Sequence, residues 1–344
     1  MSVITYIIIL AVLILLHEFG HFWAARRNGI VVEEFGLGLP PKLVTLGRWG
    51  ETEFTLNLLP IGGFARMRGE EEDAGPGSFW SAPAKARAMV LLAGPLMNII
   101  TAVVVLTLAY MFIVPHDGLW ILGVAPDYPA AEVGIQPGDV ILAVDGERVT
   151  SRDAFVAVVR AHPNTPVELT IRRGRELLTV QVTPKVDPRD NVPRIGVLLA
   201  EPLPMWKAPL AAISELFYFL KEMIHLPAKI IAGHISPGEA RPVGPVGIGR
   251  IFVGVVSEQP TPIMRLFAIL RLTATISFAL GITNLLPIPA LDGGRLVFVL
   301  LEWLRGGKRI SPEKESLVHL VGMALLLALM ALITYYDIRY PPKV

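Results

Sequence analysis

The apolar stretch Val3 to Ala25, VITYIIILAVLILLHEFGHFWAA, is broken only by His17, Glu18 and His21. A helix crossing a bilayer needs about 20 mostly apolar residues, because hydrocarbon offers the backbone no hydrogen-bond partner. This stretch is long enough and reads as a first membrane span. It does not read as a cleaved leader, since no basic residue precedes the apolar run. HEFGH also stands where small residues would mark a cleavage site. Ionisable groups inside a span are costly, so three of them within five residues point to function.

Three more stretches of the 344-residue chain meet the same length requirement: Ala88 to Pro115, Leu272 to Leu291 and Ser316 to Tyr336. The composition agrees, at 53% hydrophobic and 18% charged with a mean hydropathy of +0.55, more apolar side chain than a soluble core can hide. A net charge of +1 gives no basis for nucleic-acid binding. The absence of cysteine excludes disulfides and thiolate metal sites.

Basic residues orient the spans. Arg26, Arg27, Lys42, Arg48, Arg66, Arg68, Lys85 and Arg87 lie between the first and second, and Arg305, Lys308, Arg309 and Lys314 between the third and fourth. None precedes the first span, and none follows the second until Arg148. Both termini are therefore expected outside and both basic loops in the cytosol, with Arg339 and Lys343 as a minor conflict.

The stretch 31–68 is more than a loop. Phe54, Leu56 and Leu58 alternate with Glu53, Thr55 and Asn57, which predicts a strand within a hairpin or small sheet packed on the spans. Glu70 to Asp73 reads as a solvated acidic run. Residues 116–186 turn polar, with strands expected at Trp120–Val124, Val140–Val144, Val167–Arg172 and Leu177–Val182. Thr150 and Asp153 suit a capping box for a helix through Arg160. Met205 to Ile235 reads as an interfacial amphipathic helix. The expected organisation is 1–115 as a first membrane part, 116–186 as an inserted domain, 187–262 as a linker and 263–344 as a second membrane part.

His17 and His21 are spaced i, i+4, which stacks both imidazoles on one helix face where they can hold one zinc ion. Glu18 then stands beside the metal's open position as a general base. A catalytic zinc normally has three protein ligands. Asp292 is expected at about the depth of the histidines, because the first and third spans run in the same direction and both end in polar residues. His319 on the fourth span is the rival third ligand, although a lone intramembrane histidine more often bonds a neighbouring helix.

HEFGH on the first span, GPLMN (Gly94 to Asn98) on the second and NLLPIPALDGG (Asn284 to Gly294) on the third resemble the site-2 proteases. GPVGI (Gly244 to Ile248) and the stretch PAAEVGIQPGDVILAVDG (Pro129 to Gly146), which resembles bacterial PDZ domains, are similar to the bacterial subgroup. The resemblance covers nearly the whole chain. It implies a four-span α-helical membrane protein with a membrane-associated β-loop at 31–68 and an inserted PDZ-like α+β domain. Residue by residue, it implies His17, His21 and Asp292 as Zn2+ ligands, Glu18 as catalytic base and Asn284 as a contact to substrate backbone. A substrate helix must be unwound before cleavage, and an edge strand carrying Phe54 and Leu56 is the expected partner for its freed backbone.

The implied activity is hydrolysis of single-span membrane proteins, such as anti-sigma factors or remnant signal peptides, after a first cut by an upstream site-1-type protease outside. The implied location is the bacterial inner membrane, with the zinc near the cytosolic face and the PDZ-like domain outside. A single PDZ-like unit departs from the subgroup's commonest pattern of two. Asp117 to Val124, the expected carboxylate loop of this domain, has no basic residue, which favours exclusion of bulky substrates over capture of a chain end. An inactive PDZ scaffold is the alternative, disfavoured by the intact Glu18. A zinc transporter fits poorly, since ligands clustered on one side form no relay.

Overall fold

The computed structural model describes residues 2–70, 74–188, 190–232 and 242–341. Of the acidic run Glu70 to Asp73, only Glu70 lies within them. Helix α1 (Ser2–Arg27) leads into the long strands β1 (Val32–Trp49) and β2 (Thr52–Met67), then α2 (Ala84–Phe112). Strand β3 (Leu119–Val124), the short α3 (Pro129–Glu132), β4 (Val140–Val144), β5 (Glu147–Arg148) and α4 (Arg152–Ala161) follow. Next come β6 (Val167–Arg173), β7 (Glu176–Val182), β8 (Lys185–Asp187), β9 (Val192–Arg194) and β10 (Val197–Ala200). The chain closes with α5 (Ala208–Ile231), α6 (Pro245–Glu258), α7 (Pro262–Asn284), α8 (Asp292–Leu304) and α9 (Pro312–Arg339). Among the described residues four helices are long and apolar enough to cross a membrane: α1, α2, α7 and α9.

The chain divides into two compact units. One comprises residues 1–104, 218–255 and 272–344, the other residues 105–217 and 256–271.

In the first unit, β1 and β2 bend so that each contributes twice to one antiparallel sheet. Phe54 pairs with both Phe35 and Gly47, and Leu56 with both Leu37 and Val44. The segment from Phe54 to Leu56 is therefore an interior strand, which corrects the expectation of an edge there. Its backbone groups are already taken, so Phe54 and Leu56 cannot pair a substrate by strand addition. One edge is formed by Gly63 to Met67, which pairs only with Leu37 to Val32, and the other by Lys42 to Trp49, which pairs only with Asn57 to Thr52. Phe35 and Phe54 close on Phe22 of α1, with ring centroids 5.4 and 5.8 Å from it, and so fix the sheet to the first span.

The third span ends earlier than its hydropathy suggests. α7 stops at Asn284, and Asp292 opens the separate helix α8 rather than ending α7. Pro287 and Pro289 explain the stop, because neither can donate the N–H that a continuing helix needs. GPVGI lies at the start of α6, a helix that the sequence reading leaves inside a linker. The buried carboxylate of Asp337 on α9 accepts the Gly244 and Gly247 N–H groups at 2.9 and 2.8 Å. A carboxylate at a helix N-terminus satisfies donors that the helix itself cannot.

The second unit contains a six-stranded sheet of order β10-β3-β4-β6-β7, with β5 on β4. Leu119, Ile121, Ile141, Leu169 and Ile171 alternate inward to form its core, against Phe155 and Val159 of α4. Asp139 accepts the Gln136 N–H and pairs with Arg173 at 2.7 Å, which ties the turn before β4 to β6. Ser151, not Thr150, caps α4, accepting from the Ala154 N–H at 3.2 Å. The sheet extends beyond residue 186, since β10 pairs with β3. Residues 119–124 form β3, an interior strand, so the carboxylate loop is not there. The cavity beside α4, of about 710 Å³, is lined by β10, by the end of β3, by β9 and by Arg152 and Arg160 of α4. With three arginines beside β10, Arg152, Arg160 and Arg194, no missing basic residue favours exclusion of bulky substrates over capture of a chain end.

Candidate metal centre

His17 and His21 sit one turn apart on α1, 8% and 6% exposed, with their Nε2 atoms 3.1 Å apart. Asp292 meets them from α8, its Oδ2 3.1 Å from His17 Nε2 and its Oδ1 3.4 Å from His21 Nε2. One donor atom from each lies within 4.8 Å of the others, the one such group among the described residues. His319 is not part of it.

The other ring nitrogens explain why these atoms face each other. His21 Nδ1 lies 2.8 Å from the Val90 carbonyl, which can only accept, so Nδ1 carries the proton and Nε2 the lone pair. His17 Nδ1 lies 3.4 Å from the side-chain nitrogen of Asn98, whose oxygen is buried without a partner. With a metal on its Nε2, His17 would carry its proton on Nδ1, and the Asn98 amide, turned over, would accept it through its oxygen. Two imidazole lone pairs and a carboxylate then point at one place with no proton between them. Such a set of acceptors fits a divalent cation, and two nitrogens with one oxygen suit zinc.

The spans come close enough to build this. A Cβ at Gly20 would overlap the Ala93 carbonyl, and one at Gly94 would overlap His21 Nε2. Gly20 lets α1 and α2 approach backbone to backbone, and Gly94 lets the His21 ring lie against the α2 backbone. Gly281 plays the same part between α7 and α2, where a Cβ would stand 2.8 Å from the Pro95 carbonyl. The buried Ser277 hydroxyl donates to the Asn98 carbonyl at 2.8 Å and joins the same two helices.

Glu18 follows His17 and turns toward the sheet, where one carboxylate oxygen accepts the Ala65 N–H at 3.1 Å. Ala65 lies on the edge segment of β2, so the carboxylate is held by a strand that pairs with β1 on one side only. Asn284, the last residue of α7, donates its amide to the Leu280 carbonyl at 3.1 Å, leaving its amide oxygen for another partner. Val90 and Ala65 are not legible in the sequence, because they act through backbone groups that no side-chain pattern reveals. Asn98 stands in the GPLMN motif, but only the fold gives it a task.

Comparison with known proteins identifies the family. Residues 5–329 match the profile described as Peptidase family M50. The chain is 34% identical over 345 residues to "Putative zinc metalloprotease CPE1693" of Clostridium perfringens, covering 99% of each chain. It is 30% identical over 425 aligned positions to "Zinc metalloprotease RasP" of Geobacillus kaustophilus, covering 98% of each, so that relative is the longer protein. It is 29% identical over 425 positions to "Regulator of sigma-W protease RasP" of Bacillus subtilis, again covering 98% of each. A match over nearly the whole chain, together with spans that carry the HEFGH motif, makes this protein a membrane-embedded zinc metalloprotease of peptidase family M50, the site-2 proteases.

Proposed function

We propose that His17, His21 and Asp292 hold the zinc and that Glu18 is the catalytic base for cleavage of single-span membrane proteins. The convergence of the two Nε2 atoms and the Asp292 carboxylate, with Glu18 next in the chain, carries this reading. When bound there, zinc supplies Lewis acidity and makes water acidic enough to lose a proton near neutral pH. Glu18 takes the proton from the attacking water as its oxygen bonds to the scissile carbonyl carbon. It then delivers that proton to the leaving nitrogen as the carbon–nitrogen bond breaks. The Ala65 N–H keeps the carboxylate aimed meanwhile.

The substrate must be unwound, and its freed backbone needs partners. The edge segment Gly63 to Met67 replaces Phe54 and Leu56 in this role, because it is unpaired on one side and already touches Glu18. Asn284 is the second proposed contact, through its free amide oxygen. Anti-sigma factors are proposed substrates on the strength of the relative named a regulator of sigma-W protease. An earlier cut by another protease outside the membrane is part of the same proposal.

Asp292→Ala should lower zinc content and cleavage together, because two histidines alone leave the ion one ligand short. Metal analysis of the purified protein and cleavage of a transmembrane substrate in detergent measure both. Full zinc occupancy in this variant would remove Asp292 from the ligand set.

The proposed orientation places the basic loops and the zinc at the cytosolic side of a bacterial inner membrane, and the PDZ-like domain outside. Single cysteines replacing the exposed Ala74 and Ser311 should resist an impermeant thiol reagent in intact cells, and one replacing the exposed Glu147 should react. Labelling at 74 and 311 with protection at 147 would invert the topology.

A further inference from the structure

Asp292 opens α8 behind Leu291, an N-cap residue with no side-chain hydrogen bond, so its direction depends on how the chain leaves the preceding turn. That turn contains an unusual residue. Among the described residues four non-glycines have left-handed backbone: Asp145, Asn164, Asn191 and Ala290. Aspartate and asparagine tolerate this region through local side-chain hydrogen bonds. Ala290, at φ 76°, has no such compensation. A residue in that position persists only where its surroundings hold it.

Helix α9 provides the hold. His319 Nδ1 accepts the Ala290 N–H at 3.0 Å. One turn further along, Gly322 packs so close to Pro289 that a Cβ would overlap the ring. The His319 ring also lies 5.4 Å from the Phe298 ring of α8. Accepting at Nδ1 leaves the ring proton on Nε2, which has no protein partner among the described residues. His319 is thus not a ligand, and its one hydrogen bond goes to the residue two before Asp292.

We propose that His319 is a positioning residue for Asp292: it accepts the Ala290 N–H, holds the left-handed turn, and so aims the carboxylate at His17 and His21. The proposal rests on Asp292 being the third ligand. Metal ligands tolerate only about 0.5 Å of displacement, and a change of backbone angle at residue 290 would swing the start of α8 by more than that.

The test compares zinc affinity, by competition with a graded chelator, in the purified full-length protein in detergent. His319→Leu keeps bulk but loses the acceptor and should weaken zinc about 10–100-fold, the usual cost of losing an outer-shell partner. His319→Asn places Oδ1 where Nδ1 stood and should recover most of that loss. Ala290→Gly removes the backbone strain, so His319→Leu should cost much less in that background. Unfolding of the zinc-free proteins controls for fold. Wild-type affinity in His319→Leu would overturn the proposal, as would an Asn variant no better than Leu. Wild-type affinity in Asp292→Ala would instead remove the ligand reading beneath it.

Discussion

Glu18→Gln should leave zinc bound and slow cleavage about 10²–10⁴-fold, the usual contribution of a general base. The substitution changes little else. Glutamine keeps an oxygen that can accept the Ala65 N–H, now at 3.1 Å, so the side chain has the same anchor. His17, His21 and Asp292 are untouched. What is lost is the capacity to take a proton from water and return it to the leaving nitrogen. Zinc per protein and the rate on a transmembrane substrate, measured on the same preparation, separate the two effects. Wild-type turnover would remove Glu18 from the mechanism; loss of zinc would make its role structural. Because the variant should still bind substrate, it is also the form with which to capture substrates in cells.

Gly94→Ala should abolish tight zinc binding although residue 94 is no ligand. A Cβ there would overlap Nε2 of His21, the atom that faces His17 and Asp292. The ring cannot simply shift, because its Nδ1 is held by the Val90 carbonyl in the same turn of α2. Either that hydrogen bond breaks or α1 and α2 move apart, and overpacking of this kind costs about 1–3 kcal/mol. Zinc affinity should fall by more than about 100-fold, beyond the loss of an outer-shell partner, because a ligand itself is displaced. Chelator competition measures it, and unchanged affinity would mean that the close approach of α1 to α2 is not needed for the site.

Side-chain chemistry spaced along one helix was legible in the sequence. The spacing of His17 and His21 alone makes a metal-binding face, and four long apolar stretches require spans because hydrocarbon cannot satisfy an open backbone. The strands expected at 140–144 and 167–172 are present as β4 and β6. What failed had a common cause. The stretch around Phe54 alternates as a strand does, but whether a strand is interior or edge depends on partners 19 residues back and 7 residues back in the same folded hairpin. Hydropathy carried the third span to Leu291, although Pro287 and Pro289 end it at Asn284.

Residue type and near-neighbour spacing are enough to mark the spans and the family, and to single out His17, His21 and Glu18 for the roles proposed above. How the site is held depends on packing. Val90 and Ala65 act through backbone carbonyl and N–H groups, which every residue possesses and no pattern distinguishes. Asn98 and His319 look like isolated polar residues until two helices far apart in the chain bring them to His17 and Ala290. A ligand's identity can be carried by one residue, but its direction depends on contacts between segments, and those exist only once the chain is packed.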